Sequence, residues 1–168
     1  MLYKNYNNKE NQINEILWAL NITGYKCKYS DPRFSKTYEY GIFREQYMTL
    51  EEYKKKYFDS SRPYTVGLLE SNMYVSNGQL QPYYALIKSL EAKGCNVIPV
   101  VAAGGSENQL KVMVKYFTNA PSYEAYLNNP LKYTNNVNAI ISMPAYGIGG
   151  NLFDNTTKYF ETAGVPVF

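Results

Sequence analysis

Thr65-Val66-Gly67-Leu68-Leu69-Glu70 and Asn96-Val97-Ile98-Pro99-Val100-Val101 are two short, largely apolar runs, and between them Leu80, Tyr83, Tyr84, Ile87 and Leu90 recur at helical spacing. Runs of this length suit strands. Apolar side chains at consecutive positions mean that both faces are covered, as in a parallel strand lying between helices. Gly94 stands where a helix C-terminus takes a residue without Cβ. The stretch reads as one βαβ unit.

The alternation continues downstream. Ser106-Glu107-Asn108-Gln109 has the form of a capping box and opens a helix whose Leu110, Met113, Val114 and Phe117 face one way. Residues 121–129 add a helical turn or two, 130–136 a polar loop, and 137–143 a third apolar run. Leu152, Phe153, Thr156, Phe160 and Ala163 then form the stripe of a helix ending at Gly164, and Val165-Pro166-Val167-Phe168 follows as a fourth strand, expected to be buried. Such alternation demands a parallel sheet with right-handed crossovers. The expected class is α/β: a three-layer, Rossmann- or flavodoxin-like sheet of about four strands with flanking helices.

Upstream the pattern is less regular. Residues 1–14 are polar and Asn-rich, without the basic start and apolar stretch of a secretory signal. A short helix over 15–20, with Ile16, Leu17 and Leu20 on one side, stops near Gly24, and the segment to Phe43 reads as irregular or extended. Thr49-Leu50-Glu51-Glu52 is a capping box that opens a helix through Phe58. Asp59-Ser60-Ser61-Arg62-Pro63 supplies turn formers and a proline that disfavours helix before it. The reading is therefore an irregular or helical lead-in over 1–62 and an α/β domain over 63–168. Because the last residues read as a buried strand, the chain is expected to be a fragment of a larger protein.

The 168 residues suffice for one buried core, and 45% hydrophobic with 18% charged residues place the chain among globular proteins. No apolar run reaches the length of a bilayer span. With no histidine, and only Cys27 and Cys95, the chain supplies no His-containing triad, no His-rich metal site and no CxxC pair. A net charge of +3 is too small and dispersed to propose nucleic acid, and Lys54, Lys55 and Lys56 read as a solvated helix face. The 19 Tyr and 18 Asn fit either a stacking or carbohydrate surface or a compositional bias, and the bias carries more weight.

In open parallel sheets, ligands bind outside the carboxyl ends of the strands, where the strand order reverses. Three loops follow strands here: 70–79, 102–106 and 144–151. They gather Glu70, Ser71, Asn72, Gly78, Gly104, Gly105, Tyr146, Gly147, Gly149 and Gly150 as candidates for a binding edge. Glycines let a ligand approach the backbone, and helix N-termini behind them offer unpaired N–H groups; taken singly, each glycine is a tight turn. Tyr146-Gly147-Ile148-Gly149-Gly150 is not a dinucleotide fingerprint, because Leu152 occupies the third glycine's place, and no P-loop is present. No nucleophile–base pair is found, so no catalytic residue is assigned. Glu70 reads either as a solvated strand end or as a base or cation contact, and no metal ligand set is assigned.

The sequence also resembles a family. Thr65-Val66-Gly67-Leu68-Leu69, Ser71, Gly78, the run from Ala85 through Leu90-Glu91-Ala92-Lys93-Gly94 to Ile98-Pro99-Val100, the glycine loop at 146–150 and Gly164-Val165-Pro166-Val167 are similar in order and type to the large subunit of cobaltochelatase and magnesium chelatase, the CobN and H-subunit type. Tyr40-Gly41-Ile42-Phe43 and Leu50-Glu51-Glu52-Tyr53 look like the lead-in to the same domain. The resemblance implies one internal domain of a large cytoplasmic subunit that contributes to tetrapyrrole and metal binding. It implies insertion of cobalt or magnesium driven by ATP on partner ATPase subunits, a nitrogen–metal ligase reaction. Its partners are then the rest of the parent subunit, those ATPase subunits and the tetrapyrrole substrate. Asn72 and Arg44 stand where the family commonly has histidine. A non-catalytic binding or interaction module of a divergent chelatase-like protein is the alternative.

Overall fold

The computed structural model describes residues 9–31, 40–102, 106–143, 159 and 161–168. The chain forms two compact units, Met1–Thr37 with Tyr74–Gln79, and Tyr38–Met73 with Leu80–Phe168. In the first, α1 (Lys9–Ile22) is longer than the sequence predicts. The expected apolar stripe does not hold: Asn11 and Asn14 are buried, whereas Ile16 and Leu20 are exposed. Asn14 explains its own burial, since its Oδ1 accepts the Ser30 N–H at 2.7 Å and its Nδ2 donates to the Glu10 carbonyl at 2.9 Å. A side chain that satisfies two backbone groups at once tolerates loss of water.

The second unit is built on one sheet. Its strands are β1 (Tyr40–Arg44), β2 (Gln46–Met48), β3 (Tyr64–Ser71), β4 (Cys95–Ala102) and β5 (Ala139–Ser142), in the spatial order β2-β1-β4-β3-β5. β3 pairs in parallel with β4 from Tyr64↔Cys95 to Ser71↔Ala102, and with β5 from Val66↔Ala139 to Leu69↔Ser142. The α/β class and the parallel run of strands are as expected. Residues 165–168 pair beside β5 through a parallel bridge from Val167 to Ile140, but they form an outer edge where Val167 is half-buried and Phe168 exposed, instead of a buried strand.

The antiparallel strands β1 and β2 are the main departure from the sequence reading. The segment ending near Phe43 forms a hairpin on β4, with Ile42 opposite Val100 and, across the turn, Phe43 opposite Tyr47. The sheet thus takes strands from both sides of the expected division at residue 62. Alternation is hard to see in such short strands, and their pairing partner lies far along the chain. β1 meets β4 only from Val100 onward, so it stops short of Pro99, which lacks the N–H a ladder needs.

The helices of this unit are α2 (Leu50–Tyr57), α3 (Asn72–Ser76), α4 (Gln81–Ala92), α5 (Ser106–Phe117) and α6 (Tyr123–Asn128), α3 crossing into the first unit. The Thr49–Glu52 capping box opens α2 as predicted. Helix α3 occupies residues expected in a loop. Of the second predicted box, the side chains of Ser106, Glu107 and Asn108 lie outside the described residues, whereas Gln109 is buried and its Oε1 accepts no hydrogen bond; most of the predicted helix before Gly164 also lies outside them, and Tyr159 and residues 161–163 are helical. Both α4 and α5 pack on β4, which is buried from Asn96 to Ala102, so helices cover both faces. This is the three-layer arrangement.

Asparagine side chains fix the sheet's lower end. Asn138 accepts the Thr65 N–H at 2.8 Å and returns its own N–H to the Thr65 carbonyl at 2.7 Å, which sets the register of β5 against β3. Asn96 holds both the N–H and the carbonyl of Asp59, at 2.9 Å each. On the α5 face, Phe117 lies so close to β3 that a Cβ at Gly67 would stand 2.9 Å from its ring. A buried ring has little room to retreat. Gly67→Ala is expected to lower stability by about 1–3 kcal/mol in urea unfolding, and Phe117→Leu in the same chain to recover part of the loss.

Candidate functional site

From β3 the chain crosses through α4 to β4 on one side, and then through α5 and α6 to β5 on the other side of β3. The strand order therefore reverses between β3 and β5, and the crevice beyond their carboxyl ends is where an open parallel sheet offers a ligand site. Glu70, Ser71 and Asn72 end β3 and begin α3, while β5 ends at Ser142, which is paired with Leu69; the Met143 N–H just beyond it donates to the Leu69 carbonyl at 2.9 Å. Ser142 is an addition to the candidates. Its position depends on the β3–β5 register, which no local pattern carries.

Glu70 is the unusual residue of this edge. It is only 4% exposed, although a strand-end carboxylate ordinarily reaches water. Its Oε1 accepts the backbone N–H of Ser71 at 2.7 Å, and no cation pairs with it among the described residues. Burial raises its pKa above the ordinary 4.5, opposed by the Ser71 N–H. Ser71 and Asn72 are half-buried, and the Ser71 Oγ accepts the Met73 N–H at 3.3 Å.

Of the other candidates, only Gly78 lies among the described residues. Gly78 forms the turn after α3 at φ +68°, grouped with the first compact unit, and nothing lies within 4 Å of a Cβ built on it. Gly104, Gly105, Tyr146, Gly147, Gly149 and Gly150 lie outside the described residues.

Arg44, which stands at a family histidine position by resemblance, is committed elsewhere. Its guanidinium forms a two-pronged ion pair with Glu91 of α4, Nη1 to Oε1 and Nη2 to Oε2, the latter at 2.9 Å. It also lies 4.2 Å from the centroid of the Tyr57 ring, next to buried Tyr53, whose phenol burial pushes up to about 12. The Glu91 hydrogen bond holds the guanidinium even more firmly charged than usual. Tyr83 of α4 adds a second tie by donating to the Phe43 carbonyl at 2.9 Å. Arg44 thus fastens β1 to α4.

The fold is an α/β domain whose strand order reverses at a polar edge. The family model described as CobN/Magnesium Chelatase matches residues 1–168, and the chain belongs to that family. No curated protein matches the chain.

Two predictions follow from this geometry. Since the folded-state pKa of Glu70 is raised, its contribution to stability is fully present below the ordinary 4.5 and is lost as pH rises through the folded value. Glu70→Gln is therefore expected to be more stable than the parent chain at neutral pH, by on the order of 1 kcal/mol, with the advantage gone in acid; urea unfolding across pH reads this. Arg44→Ala is expected to cost about 2 kcal/mol, Arg44→Lys to restore less than half, and Arg44→Ala with Glu91→Ala to cost less than the two single changes together.

Proposed function

We propose that this chain is a domain of a chelatase-type large subunit that contributes to tetrapyrrole and metal binding for ATP-dependent insertion of cobalt or magnesium, together with the rest of the parent subunit and separate ATPase subunits in the cytoplasm. The observation that carries the reading is the family match over residues 1–168. The reversal of strand order between β3 and β5 supports the edge beyond their carboxyl ends, with Glu70, Ser71 and Asn72, as the candidate ligand site. The metal here is substrate. The chain has no histidine, and among the described residues no three His, Cys, Asp or Glu side chains gather.

A second reading is favoured by one observation. Arg44 is bound to Glu91, which suits a non-catalytic binding module. Among the described residues no helix is long and apolar enough to cross a membrane. Titration of a free-base porphyrin, with and without Mg²⁺ or Co²⁺, against the chain and the full parent protein separates the readings. Saturable binding by both, with metal insertion by the parent and its ATPase partners, is the expected result. Binding without insertion supports the module, and no binding by either protein overturns the tetrapyrrole reading.

A further inference from the structure

Of the 18 asparagines, Asn77 alone is followed by glycine. Asn77 and Gly78 form the exposed turn that ends α3, with Gly78 at φ +68° and nothing within 4 Å of a Cβ built on it. The turn is lightly held: the Gly78 N–H donates to the Val75 carbonyl at 3.2 Å and the Gln79 N–H to the Tyr74 carbonyl at 2.9 Å, behind a helix of 5 residues. A helix that short has little cooperativity of its own, so its last turn opens at small cost. The Asn77 side chain makes no hydrogen bond among the described residues. Other asparagines are tied down, Asn96 by both backbone groups of Asp59, Asn138 by Thr65, and Asn119 by the Thr134 N–H at 2.9 Å.

The side-chain carbon Cγ of an asparagine is electrophilic and can close a five-membered ring with the backbone nitrogen of the next residue. When that residue is glycine, no Cβ stands in the way of ring closure. We propose that Asn77-Gly78 is a site of spontaneous modification, at which the chain converts its own asparagine to aspartate and isoaspartate with water as the only co-reactant. The Gly78 nitrogen gives its proton to hydroxide and attacks Cγ of Asn77, the Cγ–Nδ2 bond breaks, and Nδ2 takes up a proton and leaves as ammonia. Water then opens the cyclic imide at either carbonyl. Opening at Cγ leaves aspartate; opening at the backbone carbonyl leaves isoaspartate, whose main chain runs through the former side chain and is longer by a methylene. Nothing is oxidised or reduced. Both products place a carboxylate at the carboxyl end of α3, where the helix dipole disfavours negative charge, and isoaspartate also displaces the N–H groups of Gly78 and Gln79 that close the turn. The site is independent of the tetrapyrrole reading.

The test is peptide mapping of the whole chain by mass spectrometry after incubation at neutral and at mildly alkaline pH. Expected are the mass gain of replacing NH2 by OH at Asn77 ahead of the other asparagines, separate aspartate and isoaspartate peptides, and a rate that rises with hydroxide. Because the turn opens at small cost, the rate in the folded chain is expected to lie within about tenfold of that in urea. Asn77→Gln, which would need a larger ring, is expected to remove the modification, and Gly78→Ala to slow it by about tenfold or more. Asn77 that stays intact while the urea-unfolded chain reacts, protection by the fold beyond about tenfold, aspartate without isoaspartate, or an unchanged rate in folded Gly78→Ala overturns the proposal. Alanine at position 78 strains the left-handed turn; should that variant fail to fold, the isoaspartate peptide of the unaltered chain and its loss in Asn77→Gln decide.

Discussion

β3 has a parallel partner on each side, and the rest of the sheet unit follows from that double pairing. A strand whose backbone groups are used on both flanks cannot slip without inverting every side chain between the two helix-covered faces. Its residues are buried from Val66 to Glu70 for this reason. Gly67 is part of the same constraint, because the ring of Phe117 lies where any side chain at that position would stand. The strand that organises the core also ends in Glu70, so one element fixes both the packing and the position of the crevice.

Polar side chains share in this organisation in two opposite ways. Asn14, Asn96 and Asn138 each satisfy backbone groups of another segment and act as structural ties, which compensates the burial of Asn14 and Asn96; Asn138 is exposed. Tyrosine is similarly absorbed, since Tyr53, Tyr83 and Tyr159 are among the largest fully buried side chains. The enrichment in Asn and Tyr thus contributes to folding as well as surface. Glu70 differs, because its burial is answered by a single backbone N–H and no cation among the described residues.

Arg44 shows how a family resemblance and a structure inform one another. By resemblance it stands at a position suited to histidine, yet its guanidinium is held by both oxygens of Glu91 and lies against Tyr57. Such a group is fixed in charge and place, so it holds β1 to α4 and is not free to meet a ligand. The chain belongs to the CobN/Magnesium Chelatase family, and in it Arg44 has a structural duty.

The sequence by itself determined the α/β class, the capping box that opens α2 and the two central strands, because each is written in contiguous residues as periodicity, a cap or an apolar run. It also supplied the family and, through Glu70 to Asn72, the part of the edge that lies at the end of β3. It read α1 too short and its faces wrongly, since the hydrogen bonds that let Asn14 be buried come from Ser30. Only the tertiary structure decided that residues 40–48 join the sheet as an antiparallel edge, that Ser142 pairs with Leu69, and that Arg44 belongs to Glu91. Each of these depends on pairing between residues far apart in the chain, and such pairing is set by the global packing of the sheet, which no local pattern records.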